Sequence, residues 1–132
     1  MSQASNYLEN ALQDVIFNGG SLSGITPYLA LYTSNPSDDD SGTEVSGTAY
    51  ARVDISTSFP NASGTSGVLQ NDADIVFATA GAGGWGTITH IGVFDASSGG
   101  NLLVYGALTA GTAIAEGDIF KIPTGSFTAT VA

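Results

Sequence analysis

A chain of 132 residues with 42% apolar side chains can bury one real core and leaves little room for a second domain. Twelve acids against two bases, Arg52 and Lys121, give a formal charge of −10, which excludes nucleic acid and anionic membrane surfaces as partners, since both demand cations. There is no cysteine, so disulfides and thiolate metal sites are excluded and the redox compartment is unreadable.

The start, Met1-Ser2-Gln3-Ala4-Ser5, carries no cationic segment of the kind that opens a secretion signal. No apolar run approaches the ~20 residues that span a bilayer. The first periodic segment follows. Leu8, Ala11, Leu12, Val15 and Ile16 make the stripe of an amphipathic helix over about residues 7–17. Asn6 and Glu9 have the spacing of an N-cap and its capping-box partner, and Asn18-Gly19-Gly20 supplies the stop. A helix this short needs something to dock on. Two surfaces qualify: one end of the chain's own core, or a neighbouring subunit.

Everything after Gly20 reads as strand and turn. Pro27 introduces the strand Tyr28-Leu29-Ala30-Leu31-Tyr32-Thr33. A polar loop from Ser34 to Gly42 carries Asp38, Asp39 and Asp40. Ala49 to Ile55 alternates as a half-buried strand should, with Tyr50, Arg52 and Asp54 opposed to Ala51, Val53 and Ile55. Ser56 to Gly67 is a polar linker containing Pro60, Asn61 and Gly64, and Asp74 to Ala78 is a compact strand before the loop Gly81-Ala82-Gly83-Gly84. From Trp85 to Phe94 the longest pattern places Thr87, Thr89, Ile91 and Val93 on one face and Ile88, His90, Gly92 and Phe94 on the other. Leu102 to Leu108 is its hairpin return across the Gly99-Gly100 turn; Ile119 to Ile122 and Phe127 to Val131 complete about seven strands. The expected fold is all-β: residues 1–132 form a single antiparallel β-sandwich, jelly-roll or Ig-like, with one short N-terminal amphipathic helix.

The inventory for chemistry is thin. His90 is the only imidazole, so no two-histidine metal site can form, and no Gly-x-Ser-x-Gly elbow surrounds a serine. We expect His90 at the rim of the core, bonded to a backbone carbonyl, rather than acting as a general base. Asp38, Asp39 and Asp40, with Glu44 nearby, offer the oxygen ligands that Ca²⁺ favours. Their consecutive spacing lacks the alternation of an EF-hand loop, and the expectation is a solvated acidic loop. Gly81 to Gly84 precedes a strand and not a helix, so it is read as a flexible turn and not a phosphate cradle. Trp85 is expected to plug the core, the alternative being a stacking platform for sugar. No catalytic, cofactor-binding or metal-ligating residue is assigned, no cofactor is expected, and the chain is expected not to be an enzyme.

The order of segments is more informative than any of these. Tyr7-Leu8-Glu9-Asn10-Ala11-Leu12 leads to Tyr28-Leu29-Ala30-Leu31-Tyr32-Thr33-Ser34-Asn35-Pro36. Gly42-Thr43-Glu44-Val45-Ser46-Gly47 and Tyr50-Ala51-Arg52 come next. Trp85-Gly86-Thr87-Ile88-Thr89-His90-Ile91-Gly92-Val93-Phe94-Asp95 then runs into Gly99-Gly100-Asn101-Leu102-Leu103. This arrangement resembles a family of small bacteriophage virion structural proteins, variously tail-fibre-like or capsid decoration proteins. The resemblance implies an all-β domain in the virion, assembled in the host cytoplasm and without enzymatic activity. Because the chain is one compact domain with no repetitive shaft, the expected role is a capsid decoration or cement protein that binds the assembled head. A tail fibre or baseplate component, touching host or glycan, is the alternative. The expected partners are the major capsid protein or other virion proteins, together with further copies of the chain in a homo-oligomer.

Overall fold

A computed structural model describes residues 3–62 and 67–130. Met1 and Ser2 of the start, Gly64 of the predicted linker and Val131 of the last predicted strand lie outside the described residues. The architecture is all-β with one short N-terminal helix, as the sequence pattern implies. In chain order the elements are β1 (Gln3–Ala4), α1 (Asn6–Asn18), β2 (Tyr28–Tyr32), β3 (Val53–Asp54), β4 (Val68–Gln70), β5 (Ile75–Thr79), β6 (Gly86–Phe94), β7 (Leu102–Ile114), β8 (Ile119–Ile122) and β9 (Thr128–Thr130).

One five-stranded antiparallel sheet has the order β1-β7-β6-β2-β3, and two ribbons, β4-β9 and β5-β8, make up the rest. The main core joins them. Leu29, Leu31, Ile88, Ile91 and Val93 of the large sheet share one apolar cluster with Ile75, Phe77, Phe120 and Ile122 of the β5-β8 ribbon. A smaller cluster, Ala30, Tyr32, Phe94, Leu102 and Tyr105, lies apart from it. Alternate residues of β2 thus enter different clusters, which is why four of its five residues are buried where a half-exposed strand would bury every second one.

Ser5, and not Asn6, caps the helix: its hydroxyl accepts a hydrogen bond from the Leu8 N–H at 3.2 Å and donates to the Leu102 carbonyl. The cap falls there because β1 is still paired with β7 at Gln3↔Tyr105 and Ala4↔Val104, so the chain turns into the helix at once. Gly19, at φ 71°, closes the other end, in keeping with the expected glycine stop.

Two strand expectations are corrected. Ala49 to Ile55 is not a continuous strand, since only Val53–Asp54 pairs with β2. Ala49 has φ 69°, and the Tyr50 N–H closes a turn on Gly47. Beside β2, Thr43 and Val45 bond to Thr33 and Leu31, while the Leu31 N–H donates instead to the Tyr50 hydroxyl at 3.0 Å. A side chain therefore fills the gap between two short pairing segments, satisfying a donor that burial would leave costly.

The face assignment along β6 also fails. Ile88, Ile91 and Val93 all enter the main core, so the alternation changes phase between Ile88 and Ile91. The cause is a bulge: Ile88 pairs with Thr112 and His90 with Ala107, so Thr89 alone faces the four residues Leu108 to Gly111. The same bulge carries β7 to Ile114, well past the predicted end at Leu108.

Candidate docking surface

The acidic loop is built by local chemistry. Asn35 Oδ1 accepts from the Ser37 N–H at 2.9 Å, Pro36 is buried, and Ser37 and Asp40 take left-handed φ values of 58° and 57°. This geometry aims two carboxylates at the sheet. Tyr32 donates its hydroxyl to Asp40 at 2.5 Å, and Tyr105 donates to Asp38. The Asp38 bond first, and burial second, push the Tyr105 hydroxyl up to about 12; burial first, and the Asp40 bond second, raise Tyr32. Asp38, Asp39 and Asp40 are all exposed, as expected of a solvated loop. The two tyrosine bonds add what the sequence did not show: Asp38 and Asp40 also fasten it over the smaller cluster.

Glu44 does not join the three aspartates. Its carboxylate accepts from Arg52 Nε at 2.9 Å, Arg52 Nη2 at 2.8 Å and the Tyr50 hydroxyl at 2.7 Å. Burial opposes the charge of Glu44, but these donors outweigh it and hold its carboxyl below the ordinary value. Among the described residues no three histidine or carboxylate side chains converge as metal ligands.

His90 lies on β6 opposite Tyr32 of β2. Its Nδ1 is 2.9 Å from the hydroxyl of the adjacent Thr89, so the expected backbone carbonyl is not the partner. A contact between neighbours in one strand differs from a nucleophile–base pair, which needs a third group to orient the base.

Gly81 to Gly84 forms a tight turn, with the Gly84 N–H on the Gly81 carbonyl at 3.0 Å. Glycine is required at position 84, where a Cβ would stand 2.5 Å from the Ile114 carbonyl oxygen. Trp85 is buried, as expected of a core plug. Its Nε1–H donates to the Thr48 carbonyl at 3.0 Å, and its ring meets Tyr50 and Phe77 edge-on.

The chain's own core, one of the two surfaces open to α1, takes only part of the helix, and the exposed last turn with Phe17 is what sequence reasoning missed. Of the predicted stripe only Leu8 is buried, while Leu12 packs partly against the core and Val15 is exposed. Ile16 is 69% exposed and Phe17 78%. The helix therefore uses its first half to hold itself to the molecule and presents apolar side chains from its last turn. Its acids are Glu9 and Asp14, and its last turn has no base. No helix among the described residues is long and apolar enough to cross a membrane.

Comparison with known proteins gives one result of weight. No curated protein matches the chain. The family model described as "Podophage GP4 fiber I protein gp80" matches residues 3–130, a span that includes α1, both apolar clusters and the acidic loop. With nearly the whole length matched, the chain belongs to that family and is a fibre-type structural protein of the phage virion.

Proposed function

We propose that this protein is a passive fibre subunit that reaches its place in the particle by docking onto other virion proteins, and that it catalyses no reaction. The observation that supports the reading is the family match across residues 3–130. The side-chain chemistry agrees with it. Arg52, Glu44, Tyr50 and Trp85 are each engaged by neighbours in ways that fix loops and strands, and the His90 ring hydrogen-bonds only with the adjacent Thr89 among the described residues. Head decoration, the role expected from the chain's compactness, is the finer reading that the family description does not favour, so the fibre placement is preferred here.

Immunogold labelling of intact particles tests the placement. Label confined to fibres is the expected result, and label spread over the head lattice would reverse it in favour of decoration. For the passive role, particles carrying His90→Ala should infect as the parent does. Lost infectivity with normal fold and normal incorporation would mean that the imidazole does chemistry.

A further inference from the structure

We infer that the last turn of α1 is a plug, and that its receptor is an apolar pocket with a cationic rim on a different virion protein; the inference rests on the fibre reading above. The first argument is geometric. Nine residues separate Leu8 from Phe17, which at 3.6 residues per turn sets Phe17 about 180° around the helix from the side chain that anchors it. The Ser5 cap and the left-handed Gly19 fix the two ends of α1, so the helix cannot roll to bury Phe17 without breaking them. Single exposed apolar residues are ordinary. Here two large ones, Ile16 and Phe17, stand side by side about 100° apart on one helix end, 69% and 78% exposed, and adjoining exposed apolar side chains of this size mark a contact site.

The second argument is charge, and it selects the partner. Asp14 sits three residues before Phe17 and is therefore its neighbour on the helix surface. The Gly19 and Gly20 N–H groups cap the Asp14 carbonyl, and the Asn18 amide donates to its carboxylate at 3.1 Å. The last turn holds no base, however, so no cation within the element answers the Asp14 charge and the negative end of the helix dipole at the same spot. The chain has only two cations to offer elsewhere. Arg52 is bound to Glu44, with 7% of its side chain exposed, and Lys121 is ion-paired with Asp74 at 3.1 Å. A second copy, itself at −10, would set acid against acid at this face. Lysine or arginine from another polypeptide, around a pocket for Ile16 and Phe17, answers both the apolar and the electrostatic demand.

The experiment uses full-length protein in assembling particles. Ile16→Gln and Phe17→Gln, which keep helix propensity, should melt like the parent but enter particles at least about tenfold less well, the loss expected for one buried large side chain. Asp14→Lys should lower incorporation several-fold. A photo-crosslinking phenylalanine analogue replacing Phe17 should attach, in finished particles, to a different virion polypeptide beside a lysine or arginine. Crosslinking to a second copy, crosslinking to an acidic segment, or undiminished incorporation of both Gln variants would each overturn the inference. Those failures are separable from failure of the fibre reading, in which the parental protein itself is missing from the fibres.

Discussion

The guanidinium carbon of Arg52 lies 3.7 Å from the centroid of the Phe94 ring. From that seat Arg52 donates to both Glu44 oxygens, to the Ala96 carbonyl at 3.0 Å and to the Gly99 carbonyl at 2.8 Å. One side chain thereby ties the segment beside β2, the turn before β3 and the β6–β7 hairpin turn. A cation spent this way is lost to binding.

Arg52→Ala should destabilise the fold by about 3 kcal/mol, because it strands the Glu44 carboxylate in a partly buried site. Arg52→Lys should keep roughly half of the stability at issue, as an ammonium cannot reproduce the planar fork or the ring stacking. Urea denaturation of the three proteins measures this directly. A lysine variant as stable as the parent would show that point charge alone suffices.

Alkaline pH should loosen the acidic loop. The Tyr105 hydroxyl titrates at about 12 in the folded chain against 10.0 ordinarily, so folding disfavours its ionisation. A group with a raised folded value contributes stability that is complete below the ordinary value and is lost as pH rises to the folded one. The window is therefore pH 10.0 to about 12. Ultraviolet titration should show a late phenolate that disappears in Tyr105→Phe. A stability profile in that window unchanged by the substitution would sever the link to Asp38.

Asn71 is buried and fully bonded. Its Nδ2 donates to the Ala73 and Pro123 carbonyls at 2.9 and 3.0 Å, and its Oδ1 accepts from the Phe127 N–H at 2.9 Å. Asn71→Ala would leave three backbone groups without this partner at the β4-β9 ribbon, for an expected loss of about 2–3 kcal/mol. Thermal unfolding provides the check, and a loss well under 1 kcal/mol would mean that water replaces the amide.

The helix and most strands were legible because their signals are local. Leu8 with Leu12 has helical spacing, Gly19 stops the turn, and Ile119 to Ile122 is bounded by turn residues. What escaped depends on residues far apart in the chain. Tyr50 lies in a pattern that alternates correctly, yet its hydroxyl is drawn to Leu31 and Glu44, and no alternation rule contains that competition. Asp38 and Asp40 resemble any solvated charge run until Tyr105 and Tyr32 are brought to them. The docking surface was hidden for a related reason. Periodicity groups Ile16 with Leu8, but only tertiary structure decides which part of a stripe is covered. Phe17 falls off the stripe altogether, and its exposure has no sequence signature.

The pairing of Gln3 with Tyr105, and of the Ser5 N–H with the Leu103 carbonyl at 2.8 Å, sets the timing of assembly in the cell. A nascent chain cannot seat its first helix until the ribosome has added about a hundred further residues, roughly 5–20 s of synthesis. Throughout that interval Leu8 lacks its resting place and Ile16 and Phe17 are already outside. The side chains that α1 will bury and those it will leave outside face solvent together, and only the arrival of β7 separates them.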